Sequence, residues 1–215
     1  SSPSLLLPRG GSTLLITFST PWPAYISFPE VFVGPFPCPN VSFTSLTVLR
    51  CTLGPGFGID HIVTVHLDSE VLPPTLTSPF LLSFSPPSIS DILTPQPVSP
   101  FGNIPVTFDG SNFGLLPAVA SVLIDSSPCR ITAFTDTQIS CTTTTPSPSS
   151  SATLVVSIGN QTASTTITFA QPALSSCSPS ASLPSNASTA LNFTIQGSNF
   201  GVEVNGSLQV AIGGI

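Results

Sequence analysis

The chain has 215 residues, of which only 6% are charged, with three Arg, no Lys and a net charge of −6. Twenty-five prolines exclude long helices, because an interior Pro removes a donor and clashes with the preceding turn. Forty per cent apolar residues, fifteen of them Phe, argue against disorder, and the absence of a basic stripe argues against a nucleic-acid partner.

In chain order, the apolar positions fall into short alternating runs of the kind that form half-buried strands. The first are Leu14–Phe18 and Val31–Val33, then Ile62–Val65 and Phe80–Phe84. The same series returns as Ile104–Phe108, Val122–Ile124, Leu154–Ile158 and Thr165–Phe169, and its opening returns again as Leu191–Ile195 and Val210–Ile212. The period is close to 85 residues. It divides the chain into a unit over 1–85, a second over 86–170, and the first half of a third over 171–215. Strands at this density with regular turn signals point to sandwiches of two antiparallel sheets. Pro86-Pro87 and Pro172 stand at the junctions, where stiff residues favour a rod over flexibly strung beads. The run 142–151, rich in Thr, Ser and Pro, reads as a loop inside the second unit. Half a sandwich leaves an open apolar face, so the third unit is expected to be completed by further chain beyond Ile215 or by strands of another copy.

Five cysteines follow the same repeat. Cys38 and Cys51 are 13 apart, Cys129 and Cys141 are 12 apart, and Pro precedes the first of each pair. Neither pair has the short spacing of a zinc site, so two local disulfides are expected, and with them an oxidising, extracellular compartment. Cys177 is left without a partner. Five N-x-S/T sequons, at Asn40, Asn160, Asn186, Asn192 and Asn205, offer sites for N-linked glycans. Asn160 sits in Gly159-Asn160-Gln161, a hairpin-tip sequence, whereas Asn192 lies within an expected strand. Ser and Thr supply 60 residues, and with so little charge the surface needs covalent sugar for hydration. The Ser-Pro and Pro-Pro contexts look like those of hydroxyproline-rich surface glycoproteins of plants and algae.

Catalytic patterns are missing. No nucleophile elbow occurs, and the acids are scattered singly. His61 and His66 are five apart on one strand and so lie on opposite faces. The glycines of Gly110-Ser111-Asn112-Phe113-Gly114 and Gly197-Ser198-Asn199-Phe200-Gly201 precede no helix that could hold a phosphate, and are read as supplying positive φ in a tight corner. Asp109 lacks the further acids of a calcium loop. Trp22 is assigned to packing in preference to sugar stacking. No apolar run reaches the length of a membrane span, and no cofactor is expected.

These glycine corners, the strand Val122–Ile124 running into Pro128-Cys129, the segment Thr137–Thr142 and the closing hairpin from Val155 to Phe169 resemble the immunoglobulin-like IPT/TIG domains. The resemblance covers the second unit and the first half of the third. In the first unit, Ser19–Tyr25 stand where the glycine corner belongs. It implies an all-β fold of tandem immunoglobulin-like (IPT/TIG) sandwiches, used as spacers, receptor ectodomain modules or fibre units, and it implies no catalysis. The expected function is therefore a non-enzymatic, extracellular structural glycoprotein whose units associate end to end into a surface or matrix filament. Rival readings are the spacer or recognition ectodomain of a receptor or adhesin, and an accessory carbohydrate-binding module of a secreted enzyme, with other extracellular proteins or glycans as partners.

Overall fold

A computed structural model describes residues 5–22, 29–67, 75–144, 150–178 and 194–200. The chain is all-β, and its one helical element among the described residues is a single 3-10 turn at Pro117–Val119. The N-terminal strands are β1 (Leu5–Leu6), β2 (Thr13–Thr17), β3 (Glu30–Val33), β4 (Phe36–Pro37), β5 (Ser42–Ser45), β6 (Val48–Thr52), β7 (His61–His66) and β8 (Thr75–Phe84). The central strands are β9 (Ser88–Ile92), β10 (Pro105–Ser111), β11 (Ala120–Ile124), β12 (Ser127–Phe134), β13 (Gln138–Thr143), β14 (Ser151–Ile158) and β15 (Gln161–Thr168). β16 (Ala173–Ser178) and β17 (Thr194–Ser198) form a two-stranded ribbon.

The alternation in sequence is spent on two separate cores. One gathers Val31, Val33, Leu49, Leu53, Val63, Val65 and Phe84, the other Val106, Phe108, Phe113, Ile139, Leu154, Val156 and Ile167. The internal repeat is also a repeat of register. Leu14 and Ile16 of β2 oppose Cys51 and Leu49 of β6, as Val106 and Phe108 of β10 oppose Cys141 and Ile139 of β13. Each sandwich is closed by a parallel contact to its last strand, Leu6 with Phe84 and Val98 with Phe169.

The two sandwiches differ from the simple two-sheet expectation in an instructive way. In the central one the strands follow one another as β15-β14-β11-β12-β13-β10-β9, because β12 begins beside β11 at Ser127 and Pro128 and then pairs with β13 from Cys129 onward. A strand that changes sheets in this manner makes a corner between them. In the N-terminal sandwich the equivalent stretch is broken into β4 and β5, leaving separate sheets β1-β8-β7-β3-β4 and β2-β6-β5. The break falls at Pro39, which has no N–H to give a ladder, and Asn40, which turns to φ 57°.

The glycine corner also needs revision. Asp109, Gly110 and Ser111 are not loop but the end of β10, paired with β9 through a register shift at Asp109 and Gly110. Positive φ is taken by Asn112 (61°) and Gly114 (77°), not by Gly110. Gly110 is needed because a Cβ there would collide with the Ser88 carbonyl and the Phe113 ring, and Gly197 because one would collide with the Ala173 carbonyl and Phe200. Asn112 and Asn199 donate their side-chain amides to the carbonyls of Pro86 and Gln171, at 3.1 and 3.2 Å, so each corner is tied to the junction before its own first strand.

Candidate functional site

The described structure contains no constellation of reactive side chains; its most developed polar feature joins the two sandwiches. The β14–β15 hairpin places Gly159 and Asn160 at its tip and Gln161 just after it. Gln161 is buried although polar, with 9% of its surface exposed. Its side-chain oxygen accepts the Gly58 N–H at 3.1 Å and its side-chain N–H donates to the Phe84 carbonyl at 2.9 Å. Both partners belong to the N-terminal sandwich and both would otherwise be backbone groups cut off from water. A buried polar group satisfied on both sides fixes geometry, since any tilt of one sandwich on the other breaks both bonds.

Around this bond the contact is apolar. Phe57 packs against both cores, and Leu116 of the central chain reaches the N-terminal core. Phe57, Phe36, His61 and Phe84 meet edge to face with centroids 5.1 to 5.7 Å apart, and a His61 ring nitrogen lies 2.8 Å from the Phe57 carbonyl oxygen. The segment Gly54-Pro55-Gly56-Phe57-Gly58 allows this closeness. A Cβ on Gly56 would strike the Phe84 ring, and one on Gly159 would strike the Phe57 ring. The joint went unread in the sequence; its only signal was an aromatic residue set between glycines.

The residues singled out by sequence are spread over the molecule. Cys38 is bonded to Cys51 and Cys129 to Cys141, with Cα atoms 5.5 and 5.4 Å apart, and all four sit in the cores. Cys177 is a free, exposed thiol on β16. Asn40 is exposed in the turn between β4 and β5, and Asn160 is exposed at the hairpin tip beside the joint, where its side-chain oxygen faces Gly58. Asn186, Asn192 and Asn205 lie outside the described residues, as does the expected strand Val210–Ile212. His61 faces Phe36 and Phe84, while His66 meets Phe32 on the other face of β7. Trp22 packs between Phe18 and Phe43 at the side of the N-terminal core. Among the described residues no group of three or more His, Cys, Asp or Glu could hold a metal, and no helix is long and apolar enough to cross a membrane.

Residues 87–170, β9 to β15 with their corner and disulfide, match the sequence profile of the IPT/TIG domain. This segment is an IPT/TIG domain. No curated protein matches the chain in sequence. Among solved structures, the plexin A4 extracellular region is similar over 79% of this chain and 17% of its own length, at 16% identity and a TM-score of 0.41. The chain thus spans about a sixth of that relative. SGBP-B from a complex xyloglucan utilization locus in Bacteroides uniformis is similar over 76% of this chain and 46% of its own, at 16% identity and a TM-score of 0.33. A chimeric titin Z1Z2 is similar over 78% of this chain and 90% of its own, at 16% identity and a TM-score of 0.28.

Proposed function

We propose that the chain is a non-enzymatic structural glycoprotein of the cell exterior, a stiff rod of tandem IPT-like units that builds a surface or matrix filament. The units are 1–85, 86–170 and the first half of another over 171–215, repeating end to end. The observation that carries this reading is the joint: Gln161 bonded to Gly58 and Phe84, with Phe57 shared by both cores. A spacer that must transmit length or load needs neighbouring units locked together, whereas contacts between independent domains are usually polar, small and mobile. The two disulfides accord with an oxidising exterior. Glycans on Asn40, Asn160 and the other sequons would hydrate a surface that has little charge. Self-association end to end would extend the rod, and an interface that joins unlike ends without closing produces a filament.

The test is electron microscopy and light scattering of the glycosylated protein purified from its source. Long polymers of uniform width are expected. Monodisperse monomer at high concentration would refute the filament and leave an ectodomain spacer.

A further inference from the structure

The sequon Asn160-Gln161-Thr162 and the joint share a residue. Gly159, at φ 59°, and Asn160 form the turn of the hairpin, and the ladder begins at once beyond them, with Gln161 opposite Ile158 and Thr162 opposite Ser157. Asn160 and Thr162 are exposed, but Gln161, the middle residue of the sequon, is the buried side chain that bonds Gly58 and Phe84 of the N-terminal sandwich. The turn is gripped on its other flank as well. The Gly159 N–H donates to the Val119 carbonyl at 3.0 Å, and Gly159 lies so close to Phe57 that a Cβ would enter the ring.

Transfer of an N-linked saccharide makes demands that this arrangement meets only in part. The nucleophile is Asn160 Nδ2 and the donor is a lipid-linked oligosaccharide pyrophosphate. The bond from Nδ2 to the anomeric carbon forms as the bond from that carbon to the pyrophosphate oxygen breaks; the pyrophosphate leaves with its lipid, and Nδ2 gives up one proton. A transferase has to hold the Asn160 amide and the Thr162 hydroxyl together in its own cleft, which takes a stretch of backbone free to leave its sheet. In the joined sandwiches that stretch is not free. Drawing it out separates Gln161 from Ile158, breaks both side-chain bonds and strands the Gly58 N–H and the Phe84 carbonyl, each on a buried residue. The finished modification meets no such obstacle, because Asn160 is exposed at the rim of the joint with its side-chain oxygen toward Gly58.

We propose that Asn160 is an N-glycan site open only before the joint closes: the saccharide is added while the hairpin is free, and docking of the two sandwiches then shuts the sequon with the sugar on the rim. Gln161 makes the two events exclusive, since it belongs to both. This rests on the reading of the chain as a glycoprotein of the cell exterior, and adds the order in which modification and joining occur.

The experiment offers the full unglycosylated chain, its disulfides formed, to a purified oligosaccharyltransferase with lipid-linked oligosaccharide, and follows the initial rate at Asn160 by peptide mass spectrometry. The same chain unfolded by reduction and alkylation supplies the reference. The native chain should be modified at Asn160 at least about tenfold more slowly than the reference, since one stranded buried group already costs that much. In Gln161→Ala, compared with its own unfolded form so that the altered sequon cancels, the difference should fall below about threefold. The rate at Asn40 should stay that of the native parent, which shows the opening to be local. Equal rates at Asn160 in the native and unfolded parent, or a Gln161→Ala chain as closed as the parent, would overturn the inference and leave the glycoprotein reading standing. An unfolded chain never modified at Asn160, together with a bare Asn160 in the protein from its source, would instead strike the glycoprotein reading at this residue and the inference with it.

Discussion

Replacing Gln161 with Ala removes a side chain of the central sandwich that holds two backbone groups of the N-terminal one. The Gly58 N–H and the Phe84 carbonyl, both on buried residues, then lose their partners at 3.1 and 2.9 Å. An unsatisfied buried backbone group costs about 1–3 kcal/mol, so two of them, partly rehydrated through the space left by the amide, should cost about 2–4 kcal/mol. The loss falls on the coupling between the sandwiches more than on either core, since no core side chain is touched. Calorimetry and urea unfolding should therefore show a transition that broadens or divides in the variant, with the N-terminal sandwich melting first. Thr162→Ala, on the same strand but exposed, should stay within about 0.5 kcal/mol of the parent. If Gln161→Ala unfolds with the midpoint and cooperativity of the parent, the joint is not held by this residue and the argument for stiffness fails.

The remaining expectations concern other parts of the fold. Gly110→Ala should displace β9 and destabilise the central sandwich by about 1–3 kcal/mol, read from denaturant midpoints, because the new methyl meets the Ser88 carbonyl; a neutral effect would refute the close-approach reading. Removing the Cys129–Cys141 bridge with paired Ala substitutions should cost about 3 kcal/mol, and an unchanged midpoint would show that it does not restrain the unfolded chain. In the native protein Cys177 alone should react with iodoacetamide, counted by mass spectrometry; modification at any other cysteine would contradict the bonded cores. Enzymatic deglycosylation should cause aggregation in light scattering, and stripped protein that stays monomeric would dispose of sugar as the source of hydration.

Much of the fold could be read from residues because the repeat supplies an internal alignment. Leu14, Val106 and their neighbours alternate at the strand period, and the Pro-Cys contexts fall at the same place in the first two units, so strands and bridges could be located together. Corner chemistry was read less well. Glycine has two uses, positive φ and missing bulk, and the sequence Gly-Ser-Asn-Phe-Gly does not say which applies: Gly114 uses the first and Gly110 the second. The joint left no sign beyond Phe57 set between glycines, since Gly58 and Gln161 are 103 residues apart and neither breaks a local rule.

The central claim is that the first two sandwiches are held at one fixed angle. Spin labels at exposed positions of each, Thr44→Cys and Thr166→Cys in a Cys177→Ser background, allow pulsed dipolar spectroscopy to read the distance between them. The account predicts a single narrow distance distribution in the parent chain that broadens when Gln161 is replaced by Ala. A broad distribution in the parent would mean that the sandwiches swing freely on one another, and would contradict it.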